Sequence, residues 1–508
     1  VSGNQELPKG WVATSLATVG KLYCGQSPSV SEVNHSGEGT PYVTGPEMWD
    51  GSTLKVDKWT TNPKRQVPNG CIFITVKGAG VGKLFAGVAC AIGRDVYAYE
   101  PAQELSRKFV EYSLRYNISQ ILRHAKGDIP GLSKDHILGH LTAFPPLNEQ
   151  RRIVAKIEEL FSDLDAGVAA LKRAKANLKR YRAAVLKAAV EGKLTEEWRT
   201  KHPSQEPASA LLARILKERR QKWEADQLAK FAAAGKEPPK NWRDKYVEPA
   251  APDASVLMDL PDGWCWASVD QTSEVQGGIQ KQPKRAPRAN SFPFLRVANV
   301  HRNRLELDEV HRIELFGDEL ERLRLQPDDL LVVEGNGSKT EIGRSAIWKD
   351  EIENCVHQNH IIRVRFLAGS SRYLNAYWNS PTGNGRVMEQ AASTSGLYTL
   401  SVTKVCSLPV PLAPIVEQQQ IVAEVEDRLS LIASAETEID HGLRRASRLR
   451  QSILKQAFEG KLIPQDPSDE PASVLIALIQ NLGLPTGQGE RTKAIAKKTK
   501  LKSKRKHL

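Results

Sequence analysis

The chain says nearly the same thing twice, and this repetition restricts its fold more than any composition figure. Asn148-Glu149-Gln150-Arg151-Arg152-Ile153-Val154-Ala155-Lys156-Ile157-Glu158 returns 268 residues later as Val416-Glu417-Gln418-Gln419-Gln420-Ile421-Val422-Ala423-Glu424-Val425-Glu426. The same offset carries Leu186-Lys187 onto Leu454-Lys455 and Glu191-Gly192-Lys193-Leu194 onto Glu459-Gly460-Lys461-Leu462. Upstream, Leu7-Pro8-Lys9-Gly10-Trp11 matches Leu260-Pro261-Asp262-Gly263-Trp264. Downstream, Glu206-Pro207-Ala208-Ser209 matches Glu470-Pro471-Ala472-Ser473. Self-similarity at this spacing means two copies of one structural plan. Each copy reads as a globular unit followed by a long helix.

From Glu149 to Glu191 there is no proline and one glycine, Gly167. Ile153, Ile157, Leu160, Leu164, Leu171, Ala174, Leu178, Tyr181, Val185 and Ala188 follow steps of three and four, with Gly167 at the missing position. This is a heptad seam. The second copy has Val425, Ile432, Ile439, Ala446 and Ile453 at one seam position, and weaker residues (Arg428, Gly442, Gln456) at the other. Gly192 and Gly460 stand where such helices stop. Each helix would be roughly 65 Å long at ~1.5 Å per residue. Neither can bury its stripe alone. Pairing with each other, antiparallel, is the simplest solution, and docking on other proteins is the alternative. A stiff pair would hold two globular units at one separation and in opposite orientation.

The expected fold class is α+β: two mixed α/β domains separated by two long antiparallel coiled-coil helices, with an internal pseudo-twofold repeat. Residues 1–147 form the first domain, 148–200 the first spacer helix, and 201–258 a linker containing a helix over Ser209–Ala233. Residues 259–412 form the second domain, 413–465 the second spacer helix, and 466–508 a C-terminal segment ending in a disordered basic tail.

Charge enters here. The 508 residues carry a net +13, and the stretch Glu490–Leu508 holds nine Lys or Arg against one acid. A basic chain favours polyanions through counterion release, although a solvated basic tail is commonplace. No stretch approaches the ~18 apolar residues of a membrane span. The start of the chain does not read as a secretory signal. The six cysteines are scattered with no C-x-x-C pair, which disfavours a zinc site or a disulfide framework and fits a reducing cytoplasm.

Within the globular units, two strand-end loops suit a nucleic-acid groove. One is Lys77-Gly78-Ala79-Gly80-Val81-Gly82-Lys83, where glycines let backbone approach phosphate. The other follows Leu330-Leu331-Val332-Val333 and offers Asn336, Ser338, Lys339 and Arg344. Gln358 and Asn359, in His357-Gln358-Asn359-His360, add amides of the kind that pair with adenine. The bland reading of all these residues is a tight polar turn between strands. His357 and His360 lack a ligand pattern for zinc. The segment Glu314–Arg324 reads as helical.

Enzyme signatures are not met. In Gly78–Leu84 a phosphate loop fails, because Lys77 replaces its first glycine and Leu84 its magnesium-binding hydroxyl. Pro145-Pro146 and Pro238-Pro239 do not supply the Asn/Asp-Pro-Pro-aromatic segment of an amino-methyltransferase. No G-x-S-x-G or H-E-x-x-H occurs.

Pro145-Pro146-Leu147-Asn148-Glu149-Gln150, its echo Pro411–Gln418, Ala457-Phe458-Glu459-Gly460-Lys461-Leu462, Pro293–Val300 and Glu334-Gly335-Asn336-Gly337-Ser338 together carry a resemblance. From Leu7 to about Ile476 the chain resembles the specificity subunits of Type I restriction-modification systems. The resemblance implies a non-catalytic protein whose two domains each read half of a split sequence in double-stranded DNA. It implies a dock for two methyltransferase (modification) subunits, for which Glu149, Gln150, Glu417 and Gln418 are the candidates. Motor-nuclease (restriction) subunits would join them. S-adenosylmethionine, ATP and magnesium would belong to those partners, and no cofactor or metal to this chain. Two other readings stay open: a single-chain methyltransferase fusion, and a coiled-coil scaffold without a DNA role.

Overall fold

The computed structural model describes residues 6–483, apart from 52, 79, 124–130, 204–205 and 395–396. The basic tail lies outside the described residues. Two compact units emerge, Val1–Leu171 with Asp440–Leu508, and Lys172–Ile439. Each takes one globular domain and half of each long helix.

The long helices are Leu147–Val190 and Ile415–Phe458, 44 residues apiece. In the first unit Ile153, Ile157 and Phe161 share a core with Ile453, Leu454 and Ala457. In the second, Val185, Leu186 and Ala189 share one with Ile421 and Val425. The beginning of each helix thus meets the end of the other, and the pair is antiparallel. Val425, Ile432, Ile439, Ala446 and Ile453 are all buried, as the heptad demands. Gly442 leaves room for Leu171, whose Cδ1 would lie 3.0 Å from a Cβ there. Two ion pairs flank the seam, Arg450 with Asp165 in the first unit and Arg182 with Glu436 (2.8 Å) in the second.

The two domains repeat one sheet. In the first the antiparallel order is Gly20–Cys24, Val96–Pro101, Ile72–Thr75, Leu84–Ala86. In the second it is Ser273–Gly277, Ile361–Phe366, Leu330–Val333, Ser345–Ile347. The central strands Ile72–Thr75 and Leu330–Val333 are buried at every position, which explains their unbroken apolar runs. Each domain also has one parallel pairing in a second sheet: Thr40–Val43 with Cys90–Ile92, and Ser291–Leu295 with Val356–His357.

The repeated words dock crosswise. Trp11 donates its indole N–H to Glu149 (3.1 Å), and Trp264 donates to Glu417 (2.8 Å). Gly460, from the end of the second long helix, packs on Pro8 and Trp11, and Gly192, from the end of the first, packs on Pro261 and Trp264. Both glycines have φ +68°, and a Cβ on either would collide with a proline ring. Ala472 N–H then bonds Gly10 O (2.9 Å) and Ala208 N–H bonds Gly263 O (2.8 Å). The linker helix Ala208–Ala233 buries Ala208, Leu211 and Ile215 in the second unit. The segment Glu314–Arg324, expected to be helical, is only partly so: the strand His311–Glu314 ends, a turn follows, and the helix covers Glu319–Leu323 alone.

Candidate nucleic-acid interface

Strand order decides which loops meet. In the second domain the strands Ser273–Gly277 and Leu330–Val333 end where Ile361–Phe366 and Ser345–Ile347 begin. One end of the sheet therefore gathers the segments 278–290, 334–344 and 357–360. Contacts tie them: Ile279 N–H bonds His357 O (2.8 Å), Asn359 N–H bonds Ile279 O (3.0 Å), and Glu334 N–H bonds His360 O (2.9 Å). The same end of the first domain's sheet carries the hairpin 76–83, tied by Thr75 N–H to Lys83 O (3.0 Å) and Gly82 N–H to Thr75 O (2.8 Å).

Most sequence-selected residues lie on these ends. Lys77 and Lys83 are exposed on the hairpin. Gly82 is small because Leu122 packs against it, so its freedom also serves the fold. Asn336 is half-buried and its Oδ1 accepts the Ser338 N–H (2.8 Å). Ser338 and Lys339 are exposed, and the Ser338 hydroxyl lies 2.9 Å from that of Thr340. Gln358 and Asn359 are half-buried, with backbone N–H groups spent on Leu295 O and Ile279 O.

Five residues take other roles. Arg344 turns inward: Nε donates to Val300 O (2.6 Å) and Nη2 to Val297 O (2.9 Å), so it braces a loop instead of facing a groove. Glu149, Gln150, Glu417 and Gln418 are at most 2% exposed and cannot be a docking surface. Their polar atoms are used internally. Gln150 bonds Pro145 O (3.0 Å) and the Ser106 N–H (3.1 Å); Gln418 bonds Ala413 O (2.8 Å), Ala368 O (2.9 Å) and the Ser370 N–H (3.2 Å). A buried amide must find such partners.

The segment Gln280–Asn290 escaped sequence reasoning. It carries Lys281, Lys284, Arg285 and Arg288 and no acid. The loop is fixed from behind. Buried Glu314 accepts the N–H groups of Arg288 (2.8 Å) and Asn290 (3.0 Å). Arg285 makes a two-pronged pair with Glu319 (2.7 and 2.8 Å), and this contact lowers the Glu319 carboxyl to about 2. Lys281, Lys284 and Arg288 remain exposed, with no ion pair among the described residues. Cations on a preorganised loop, beside the half-buried amides of Gln358 and Asn359, are suited to phosphates and base edges. Behind the turn, His357 is wholly buried and donates its Nδ1–H to Ile361 O (2.9 Å); burial pushes its pKa down to about 4. His360 reaches the Glu334 carboxylate (3.0 Å). These histidines organise the turn.

The class so defined is a duplicated α+β protein on a paired-helix frame, with a loop-bearing sheet end in each domain. Comparison with known proteins agrees. The profile described as "Type I restriction modification DNA specificity domain" matches residues 8–174. The Type I restriction enzyme EcoKI specificity subunit of Escherichia coli (strain K12) is 26% identical over 329 residues, covering 64% of this chain and 59% of that protein, less than two thirds of its length. The EcoDI specificity subunit of Escherichia coli is 23% identical over 476 residues, covering 92% of each. A solved structure from work on "complex assembly and conformational transition of the type I R-M system" covers 90% of this chain and 100% of its own, at TM-score 0.63 and 16% identity, which supports the fold. Over most of its length the chain is similar to Type I restriction-modification specificity subunits. Among the described residues no helix is long and apolar enough to cross a membrane.

Proposed function

We propose that this chain is the non-catalytic DNA-reading subunit of a Type I restriction-modification complex. Each domain reads one half of a bipartite target in double-stranded DNA through the loops at its sheet end. The paired helices set the unread spacer and receive two modification subunits, with restriction subunits joining them. S-adenosylmethionine, ATP and magnesium act on those partners. The observation that carries this reading is the gathering of exposed cations at the same end of the same sheet in both domains, joined by amides in the second. Lys77 and Lys83 do so in one; Lys281, Lys284, Arg288, Asn336, Lys339, Gln358 and Asn359 do so in the other. Phosphate contacts position such a surface and base contacts give it sequence.

The test is an exchange. The full chain, with residues 7–147 replaced by the equivalent segment of a relative with a different target, is produced together with its modification subunits. Methylated adenines are then mapped in the host genome. One half of the target should change and the other stay. Change in both halves, or in neither, rules out modular reading. Saturable binding of S-adenosylmethionine by the chain alone would favour a single-chain methyltransferase instead.

A further inference from the structure

Behind the basic loop lies a cavity of about 440 Å3 in the second domain. Its chemistry is two-sided. Phe294, Ile313 and Pro287 supply apolar wall, while Lys281, His311 and Arg312 supply nitrogen, and no carboxylate is among the lining residues. The nitrogens differ in how far they are committed. Arg312 spends Nε (3.2 Å, on the Ser291 hydroxyl) and Nη2 on Ser291, which leaves its Nη1 edge. His311 meets Glu309 through Nε2 (2.9 Å). Lys281 is exposed without an ion pair among the described residues.

The walls are held rigidly. Phe294 and Ile313 sit on adjacent strands, Ser291–Leu295 and His311–Glu314, and are 1% and 2% exposed. The loop closing the cavity is pinned by Glu314 and by the Arg285–Glu319 pair. A preformed cavity with apolar walls and a few convergent polar groups is the usual architecture of a small-ligand site, at ~300–1,000 Å3. A phosphate ion alone would leave most of this space empty. A purely apolar ligand would leave the cations without a role.

We propose that this cavity receives a single nucleotide, its phosphate at Lys281 and Arg312 and its flat apolar part against Pro283 and Pro287, above the buried floor of Phe294 and Ile313. The nucleotide comes either from the bound DNA strand or from free mononucleotide. The first source rests on the reading of this domain as a DNA reader; the second does not.

Two variants separate charge from space. K281Q/R312Q removes two of the cations, and A286W fills the cavity from Ala286, an exposed, uncharged residue on its rim. Both changes fall on exposed side chains, and unchanged Tm checks that each variant folds. With the full chain and its target duplex, both should lose roughly tenfold or more in affinity, about 1.4 kcal/mol or more. K281Q/R312Q should also flatten the salt dependence, by about 0.9 in log–log slope for each phosphate that is no longer neutralised. A286W should leave that slope alone. Each deoxymononucleotide is then added at millimolar concentration. A rise in Tm of the wild type that A286W abolishes identifies free nucleotide as an occupant. No rise, with the duplex loss intact, identifies the strand. The proposal fails if A286W binds duplex like the wild type and no mononucleotide raises Tm. If the wild type binds no duplex at all, the proposed function falls, while the mononucleotide arm still decides the cavity.

Discussion

Two glutamates at equivalent places in the repeat face different chemistry. Glu417 accepts from Trp264 (2.8 Å), Thr195 (2.8 Å) and Arg199 Nε (2.9 Å), so its charge is compensated. Glu149 accepts from Trp11 (3.1 Å), and burial holds its pKa above the ordinary carboxylate value. A carboxyl raised in this way binds its proton more tightly when folded. The stability this gives is complete below the unfolded Glu pKa and is lost as pH rises through the folded one. Glu149→Gln keeps the acceptor for Trp11 and removes the charge. Its Tm should therefore exceed that of the wild type at pH 8 and converge with it near pH 4; a variant less stable at pH 8 would contradict this account. Glu417→Gln should cost about 3 kcal/mol in urea unfolding at neutral pH, because Arg199 loses a buried partner. The repeat made these residues visible in the sequence but not their role. A buried hydrogen bond and a docking surface leave the same repeated letters, and only burial tells them apart. Gln358, Asn359 and Arg344 all lie at the loop-bearing sheet end, but Arg344 turns its guanidinium inward because the carbonyls of Val297 and Val300 lie within its reach.

The helical seam was the most legible element, since period alone reveals which face is buried. Ile432 is 2% exposed and its neighbour Leu431 is 65% exposed, as the heptad requires. Ile432→Ala should cost about 3 kcal/mol in urea unfolding, and Leu431→Ala within about 0.5 kcal/mol. Equal effects would mean that the helices do not pair through this seam. The seam departs from the ideal where it loosens: Gly167 is exposed and Tyr181 is 48% exposed. The strands and loops were harder to read. Glu314–Arg324 has helical composition, yet Glu314 is needed as the carboxylate that pins the basic loop. The segment Gln280–Asn290 carries four cations and no acid, but chain order alone does not show that it joins the loops after Val333 and before Ile361. The gathering of loops depends on strand order, and a sequence presents strands only in chain order.

At the scale of the whole molecule the repeat predicted two copies but not their crosswise docking. Reading along the chain, each Leu-Pro-x-Gly-Trp belongs to the helix that follows it. In the fold Trp11 takes Glu149 from its own copy and Gly460 from the other, and Trp264 takes Glu417 and Gly192. Antiparallel pairing is the reason, since it brings the end of one helix to the start of its partner. Lengthening the frame therefore requires both helices. One heptad inserted after Leu171 and another after Ile439 keep the seam in register, because Leu171 packs against Gly442. Each adds about 10.5 Å at ~1.5 Å per residue, or about three base-pair steps of ~3.4 Å. If the paired helices set the unread spacer, selection from duplexes with randomised spacers should enrich a target about three base pairs longer with the same two half-sites. An insertion in one helix alone should instead offset the seam and lower Tm. Enrichment of the original spacer by the double insertion would mean that the distance between half-sites is fixed by something other than these helices.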